Sequence, residues 1–274
     1  MTASITRHLV PTRFGQIHCR QAGSPAAPAI VALHINQQSS ALFVELMQAL
    51  APTANIVAMD YPSHGMSDHV DKQPSITDYA ECAADVMDKL GAKTFTALGE
   101  ATGAAVAIEL GIRYPDRVNG VVMLNCPYYA DRRQADQAHE GLKVNLRPAD
   151  ASGFPMTRTL EFMMSVDPTH APLHPDQSWM DRINVAQIEV GRHRWQALDA
   201  LNDYAIGAAL QKLDREALLL MGEHFHYTAQ LETYKRLLSK LFAAEVVPNA
   251  RFGMAWEKAT EVAAHVNRFL DRGK

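Results

Sequence analysis

Residues 96–106 read TALGEATGAAV, and their centre, Gly99-Glu100-Ala101-Thr102-Gly103, has the composition of a sharp turn from a strand into a helix. A turn with a small residue two places either side of its apex presents the apex side chain clear of the backbone, as a nucleophile requires. Here the apex is Ala101, whose methyl group can neither attack a carbonyl nor move a proton. Taking Thr102 as the apex instead would put Glu100 where a small side chain is needed. Main-chain chemistry survives: the Thr102 N–H stands at a helix N-terminus, where open donors and the helix dipole favour a negative oxygen. Three nearby side chains could move a proton. Glu100 would serve as a general base if burial raised its pKa toward neutrality. His224 and His226 flank Phe225 in Glu223-His224-Phe225-His226-Tyr227, and imidazole is the group suited to proton transfer near neutral pH. An H-x-H pair also suggests a metal, but no third ligand stands at recognisable spacing, so no metal site is expected.

Such groups act only if a scaffold holds them. Ile5–Pro11 and Gln16–Gln21 alternate apolar and polar residues about a glycine turn, which predicts an antiparallel hairpin with one wet face. Short, almost wholly apolar runs follow at Ala29–Leu33, Asn55–Met59, Thr94–Leu98 and Val118–Leu124. Between them lie segments of helical period, Ser40–Leu50, Ile76–Leu90 and Gly103–Tyr114, and this alternation predicts buried parallel strands with crossover helices. The rhythm lapses from Pro127 to Leu213, where helical stretches at Met156–Val166 and Met180–Leu201 flank a Pro- and His-rich loop, Asp167–Asp176. The expected organisation is an α/β core of residues 1–126 and 214–274 carrying a helical cap at 127–213. The core resumes with a strand at Ala217–Met221, a helix at Thr228–Leu241, a strand at Phe242–Val247 and a closing helix at Glu257–Asp271.

Four landmarks in this order resemble the α/β-hydrolase superfamily: Leu33-His34-Ile35-Asn36, Asp60–Asp68 (DYPSHGMSD), Gly99–Gly103, and Met221-Gly222-Glu223. The second is similar to the family's D-x-P-G-H-G-x-S-D loop with Ser63 in place of a glycine, and Ile35 stands where glycine is usual. The resemblance implies an α/β-hydrolase fold, a mostly parallel sheet flanked by helices with an inserted cap. It also implies that the Asn36 N–H joins that of Thr102 in an oxyanion hole. Fold does not carry activity with it, so each catalytic position is matched separately. The hydrolytic triad runs in chain order nucleophile, acid, histidine. The resemblance assigns these places to Ala101, Phe225 and Phe252, the last through Val247-Pro248-Asn249-Ala250-Arg251-Phe252, so all three former triad positions carry apolar side chains. In this family His34 commonly supports loop structure. His34, Cys126 and Tyr128 at the sheet's C-terminal edge, together with Trp256, are assigned to the pocket, with buried packing as the alternative for His34 and Cys126.

The 274 residues are 47% hydrophobic and 20% charged with a formal net charge of -4, so no basic excess exists to neutralise nucleic-acid phosphates. No uncharged apolar run approaches the roughly 18 residues that span a bilayer, and no membrane partner is expected. Three scattered cysteines fit a reducing compartment, with the cytoplasm as the expected location. Neither a dinucleotide loop nor a Walker sequence occurs, so no cofactor is expected. The sequence favours a non-hydrolytic enzyme of lyase, isomerase, cyclase or decarboxylase type, acting on a small apolar carbonyl ligand. A ligand-binding protein without chemistry and a serine hydrolase with an engineered Ser-to-Ala change are the alternatives. A homodimer is among the assemblies left open.

Overall fold

The computed structural model describes residues 3–145 and 177–272. β1 (Thr6–Thr12) and β2 (Gly15–Ala22) form an antiparallel hairpin in which Thr12 faces Gly15. β3 (Ala29–Leu33), β4 (Asn55–Met59), β5 (Phe95–Glu100), β6 (Val118–Leu124), β7 (Ala217–Gly222) and β8 (Leu241–Val247) run parallel to one another. The eight strands lie in the order β1-β2-β4-β3-β5-β6-β7-β8. Every residue of β4, β5 and β7 is buried, as both faces of a helix-covered parallel sheet require.

The helices are α1 (Val44–Leu50, entered through a 3-10 turn at Ser40–Phe43), α2 (Ile76–Lys89), α3 (Thr102–Arg113), α4 (Arg132–Asn145), α5 (Gln177–Val190), α6 (Gln196–Asn202), α7 (Ile206–Lys212), α8 (Leu231–Leu237), α9 (Met254–Glu257) and α10 (Ala259–Leu270). One face of the sheet packs on α2, α3, α6 and α7, and the other on α1, α9 and α10. Side chains of β5 alternate between these faces: Phe95 and Ala97 enter the first core, Leu98 the second. The chain steps outward from β3 to β4 and returns across β3 to β5, so a crevice opens where the C-terminal ends of β3 and β5 meet. Residues 34–37 and 100–102 lie at that crevice.

Predicted strands and observed strands agree within about two residues, while helices differ where the backbone breaks. The stretch predicted at Met180–Leu201 is interrupted at Gly191, which takes a left-handed φ of 50°, and divides into α5, a 3-10 turn and α6. The helix predicted to reach Leu241 stops at Leu237, because Leu238 turns extended and Lys240 already accepts from Ala217 in the sheet. The closing helix begins early, at Met254, and is broken at Lys258. The predicted Met156–Val166 helix and Asp167–Asp176 loop lie outside the described residues. Between β6 and β7 the described segments are helical. One of them, α5, is fastened to the core by Arg182, whose guanidinium meets both carboxylate oxygens of Glu45 at 2.8 Å and lies 4.3 Å over the Trp256 ring. Among the described residues no helix is long and apolar enough to cross a membrane.

Candidate functional site

Ala101 sits at the elbow with φ 50° and ψ -110°, a conformation an L-residue adopts at a cost. Its N–H donates to Leu124 O and its carbonyl accepts from Ala104 N–H, both at 2.9 Å, so the turn is held from β6 and from the first turn of α3. The flanking glycines are steric necessities. A Cβ on Gly99 would lie 2.0 Å from Gly103 O, and one on Gly103 would lie 1.9 Å from Leu33 O and 3.0 Å from His34 O. The start of α3 therefore abuts the Leu33 and His34 carbonyls, immediately before the Ile35–Gln38 turn that carries Asn36. Among the described residues neither the Thr102 nor the Asn36 amide N–H meets an acceptor. These are the groups the sequence assigned to an oxyanion cradle.

His34 takes the buried, hydrogen-bonded place that was the alternative to lining the pocket. It is wholly buried; its Nδ1 donates to Ile35 O at 2.7 Å and its Nε2 accepts from Tyr61 N–H at 3.2 Å, which fixes a neutral tautomer. Burial, above all, pushes its pKa down to about 4. Asp60 ties the neighbouring loop together, accepting from Ser40 N–H at 2.6 Å, Met66 N–H at 2.9 Å and His18 Nδ1 at 2.8 Å. Burial pushes the Asp60 pKa up, yet hydrogen bonds from His18 and Ser40 overcome it and bring it to about 2.

Glu100 is a correction. Its side chain follows Leu98 onto the α9–α10 face of the sheet and is wholly buried, so its carboxylate does not open to the cleft. It accepts from Met254 N–H at 2.9 Å, Ala255 N–H at 3.2 Å and Asn125 Nδ2 at 3.2 Å. Desolvation by burial raises its pKa to about 7 against the pull of those hydrogen bonds. The group is a positioning residue that pins the segment after β8 to the elbow strand. A folded-state pKa above the unfolded value means the folded state binds the proton more tightly, so the protein loses stability as pH rises through about 4.5 to 7. Denaturant unfolding of wild type and Glu100→Gln is expected to show a difference that shifts in favour of the variant by roughly 2–3 kcal/mol between about pH 5 and pH 8. A pH-independent difference would contradict this assignment.

Asn125 escaped the sequence reading, and the structure makes it the hub of the site's inner wall. Held at φ 48° just past β6, its Nδ2 donates to Glu100 and, at 2.7 Å, to Arg251 O, while its Oδ1 accepts from Gly222 N–H at 2.8 Å. One buried carboxamide thus links β5, β6, β7 and the segment before α9. An asparagine directly after a strand was the available signal, because it tolerates the left-handed region.

The positions matched to an acid and a base face one another. Phe225, after β7, and Phe252, after β8, stand edge to face with ring centroids 5.0 Å apart. His226 is exposed and extends the same wall, 4.8 Å from the Phe225 ring and 4.0 Å from the Tyr227 ring. His224 is half-buried, with Nε2 3.9 Å from Glu223 and its backbone N–H bonded to Ala250 O. Of the remaining pocket residues, Cys126 is wholly buried, with burial pushing its thiol pKa upward. Tyr128 faces a separate crevice of about 340 Å³ beside Tyr129, Arg132 and Tyr204, which no elbow residue lines. Trp256 lies under the Arg182 guanidinium. Among the described residues His18 and Asp60 form a buried histidine–carboxylate pair at 2.8 Å and His139 and Asp199 a partly buried one at 2.7 Å; neither is carried by the loops after β7 and β8.

Known proteins agree with this architecture. A relative from Bacillus subtilis (strain 168), the uncharacterized carboxylesterase nap, is 27% identical over 96% of this chain and 85% of its own length. A hydrolase from Pseudomonas aeruginosa PA01 superposes with a TM-score of 0.79 at 19% identity, covering 97% of this chain and 98% of that one. The carboxylesterase CesB (YbfK) from Bacillus subtilis superposes with a TM-score of 0.72 at 22% identity, covering 99% and 93%. The family described as alpha/beta hydrolase fold matches residues 28–257. With its eight-stranded sheet, crossover helices and strained elbow, the chain belongs to the α/β-hydrolase fold family.

Proposed function

We propose that this chain acts on a small, mostly apolar carbonyl compound without forming an acyl-enzyme. The observation that carries the reading is the meeting of Phe225 and Phe252, 5.0 Å apart, on the two loops that would deliver acid and base, beside an elbow whose apex is Ala101. Among the described residues the elbow apex offers no nucleophile, and the aromatic wall suits an apolar ligand. The amides of Thr102 and Asn36 remain to polarise a carbonyl and to stabilise an enolate as negative charge develops on oxygen. The names of relatives, carboxylesterases among them, support a carbonyl compound as the ligand class.

His226 is the group assigned to the proton. It continues the Phe225–Phe252 wall and is exposed, whereas Glu100 is enclosed and His224 is turned toward Glu223. In the simplest step it removes a proton from the carbon beside the carbonyl, the enolate oxygen rests on the two amides, and the proton returns. The enolate so held is the intermediate shared with decarboxylation and C–C cleavage, in which carbon dioxide or a carbonyl fragment, rather than a proton, leaves the α-carbon. Deuterium exchange at the α-carbon of butyrophenone in D₂O, followed by NMR, tests it. Wild type is expected to accelerate exchange, and His226→Ala to lose about 10²-fold of that acceleration. The enclosure of Glu100 favours a second reading, a binding protein without chemistry: butyrophenone that binds but exchanges no faster than in buffer would establish it.

A further inference from the structure

Gln37 bears two energetic costs at one position. It occupies the third place of the Ile35–Gln38 turn, closed by Gln38 N–H to Ile35 O at 3.3 Å, with φ 59°, a place that glycine or asparagine fills with less strain. Its side chain is 4% exposed, and Nε2 is buried with no hydrogen-bond partner. Among the described residues no hydrogen bond reaches Nε2, the enclosed end of this carboxamide. An unpaired buried amide is costly, and nothing in the turn's own geometry requires a long polar side chain. Strain and an unmet polar group coincide on the turn that presents the Asn36 amide, directly after the His34 carbonyl that lies 3.0 Å from where a Cβ on Gly103 would stand.

We propose that Gln37 is a recognition residue for the ligand, pairing with a hydroxyl or enol beside the carbonyl held by the Thr102 and Asn36 amides. The inference rests on the carbonyl-binding reading above and narrows its substrate class. A carboxamide is donor and acceptor at once, and a neutral hydroxyl or enol matches both ends. A carboxylate, acceptor only, would leave the glutamine oxygen unmet. The expected ligand is therefore a β-hydroxy ketone or an enolised β-diketone rather than a simple ketone or a keto acid.

Benzoylacetone, largely enolised, and butyrophenone, which shares its carbon skeleton and lacks the second oxygen, are the probes, titrated by calorimetry. Wild type is expected to favour benzoylacetone by about tenfold, and Gln37→Leu to bring the two affinities together while keeping that for butyrophenone. Equal affinities in wild type, or a preference that persists in Gln37→Leu, would overturn the inference and leave the carbonyl reading standing. Failure of both compounds to bind wild type would remove that reading and the inference with it. A ligand-free measurement stands beside the titration: Gln37→Gly is expected to raise Tm by about 2 °C, since it relieves both costs. A lowered Tm would show that Gln37 is kept for packing.

Discussion

Gly103→Ala is expected to yield no folded protein, although alanine is the better helix former by about 1 kcal/mol. The added Cβ would stand 1.9 Å from Leu33 O and 2.6 Å from Leu33 C, both backbone atoms of a central strand that is hydrogen-bonded on both sides. No rotamer change relieves such a clash; α3 or β3 must move. The cost exceeds about 4–5 kcal/mol, a large fraction of the stability of a domain. Gly91→Ala separates clash from backbone strain, since Gly91 has φ 80° but a Cβ there meets nothing within 4 Å. It is expected to cost only about 1 kcal/mol in denaturant unfolding. Comparable losses at the two sites would mean the elbow is less closely packed on β3 than described.

Asn125→Ala is expected to destabilise by roughly 3–5 kcal/mol, measured by denaturant unfolding at neutral pH. It removes three hydrogen bonds and leaves Gly222 N–H, Arg251 O and one side of the Glu100 carboxyl buried without their partner. Asn125→Asp is the informative companion. It keeps an acceptor for Gly222 N–H but sets a second carboxyl against Glu100, whose pKa is already raised to about 7 by burial. Two carboxylates in contact cannot both ionise cheaply, so the Asp variant should recover stability as pH falls below about 6, where the pair shares a proton. The Ala variant keeps only the single Glu100 titration, so its gain in stability as pH falls should be smaller than that of the Asp variant. If the two variants follow the same pH course, Asn125 does not bridge to Glu100 as the structure has it.

These two residues mark what a sequence yields and what it withholds. The elbow was legible because its demands are local: Gly99 and Gly103 sit two places from the apex, and the strand and helix around them announce themselves through apolar runs and period. Strands β3, β4 and β6 were legible for the same reason, their residues buried on both faces. Asn125 was not, since its three partners arrive from β5, β7 and the segment before α9, and only the pairing of Glu100 with Leu124 and Leu124 with Leu220 brings those elements together. Glu100 was misjudged by one step of the same logic. Its place before the apex suggested the cleft, but alternation along β5 sends it under the sheet with Leu98. His34 and Cys126 look reactive as residue types, and it is complete burial that makes them structural.

Restoring the missing hydroxyl puts the proposed chemistry to its sharpest trial. Ala101→Ser places an oxygen at the elbow apex without changing the backbone, and an ester such as p-nitrophenyl acetate reports acylation as a rapid burst of p-nitrophenolate. On the proposed reading Phe225 and Phe252 stand where an acid and a base would be needed and His226 serves the α-carbon of the ligand rather than the apex, so rapid mixing should show only a slow, burst-free background. A burst approaching about one equivalent per chain would reveal a base aimed at the apex itself, and the protein would then be an esterase lacking only its nucleophile.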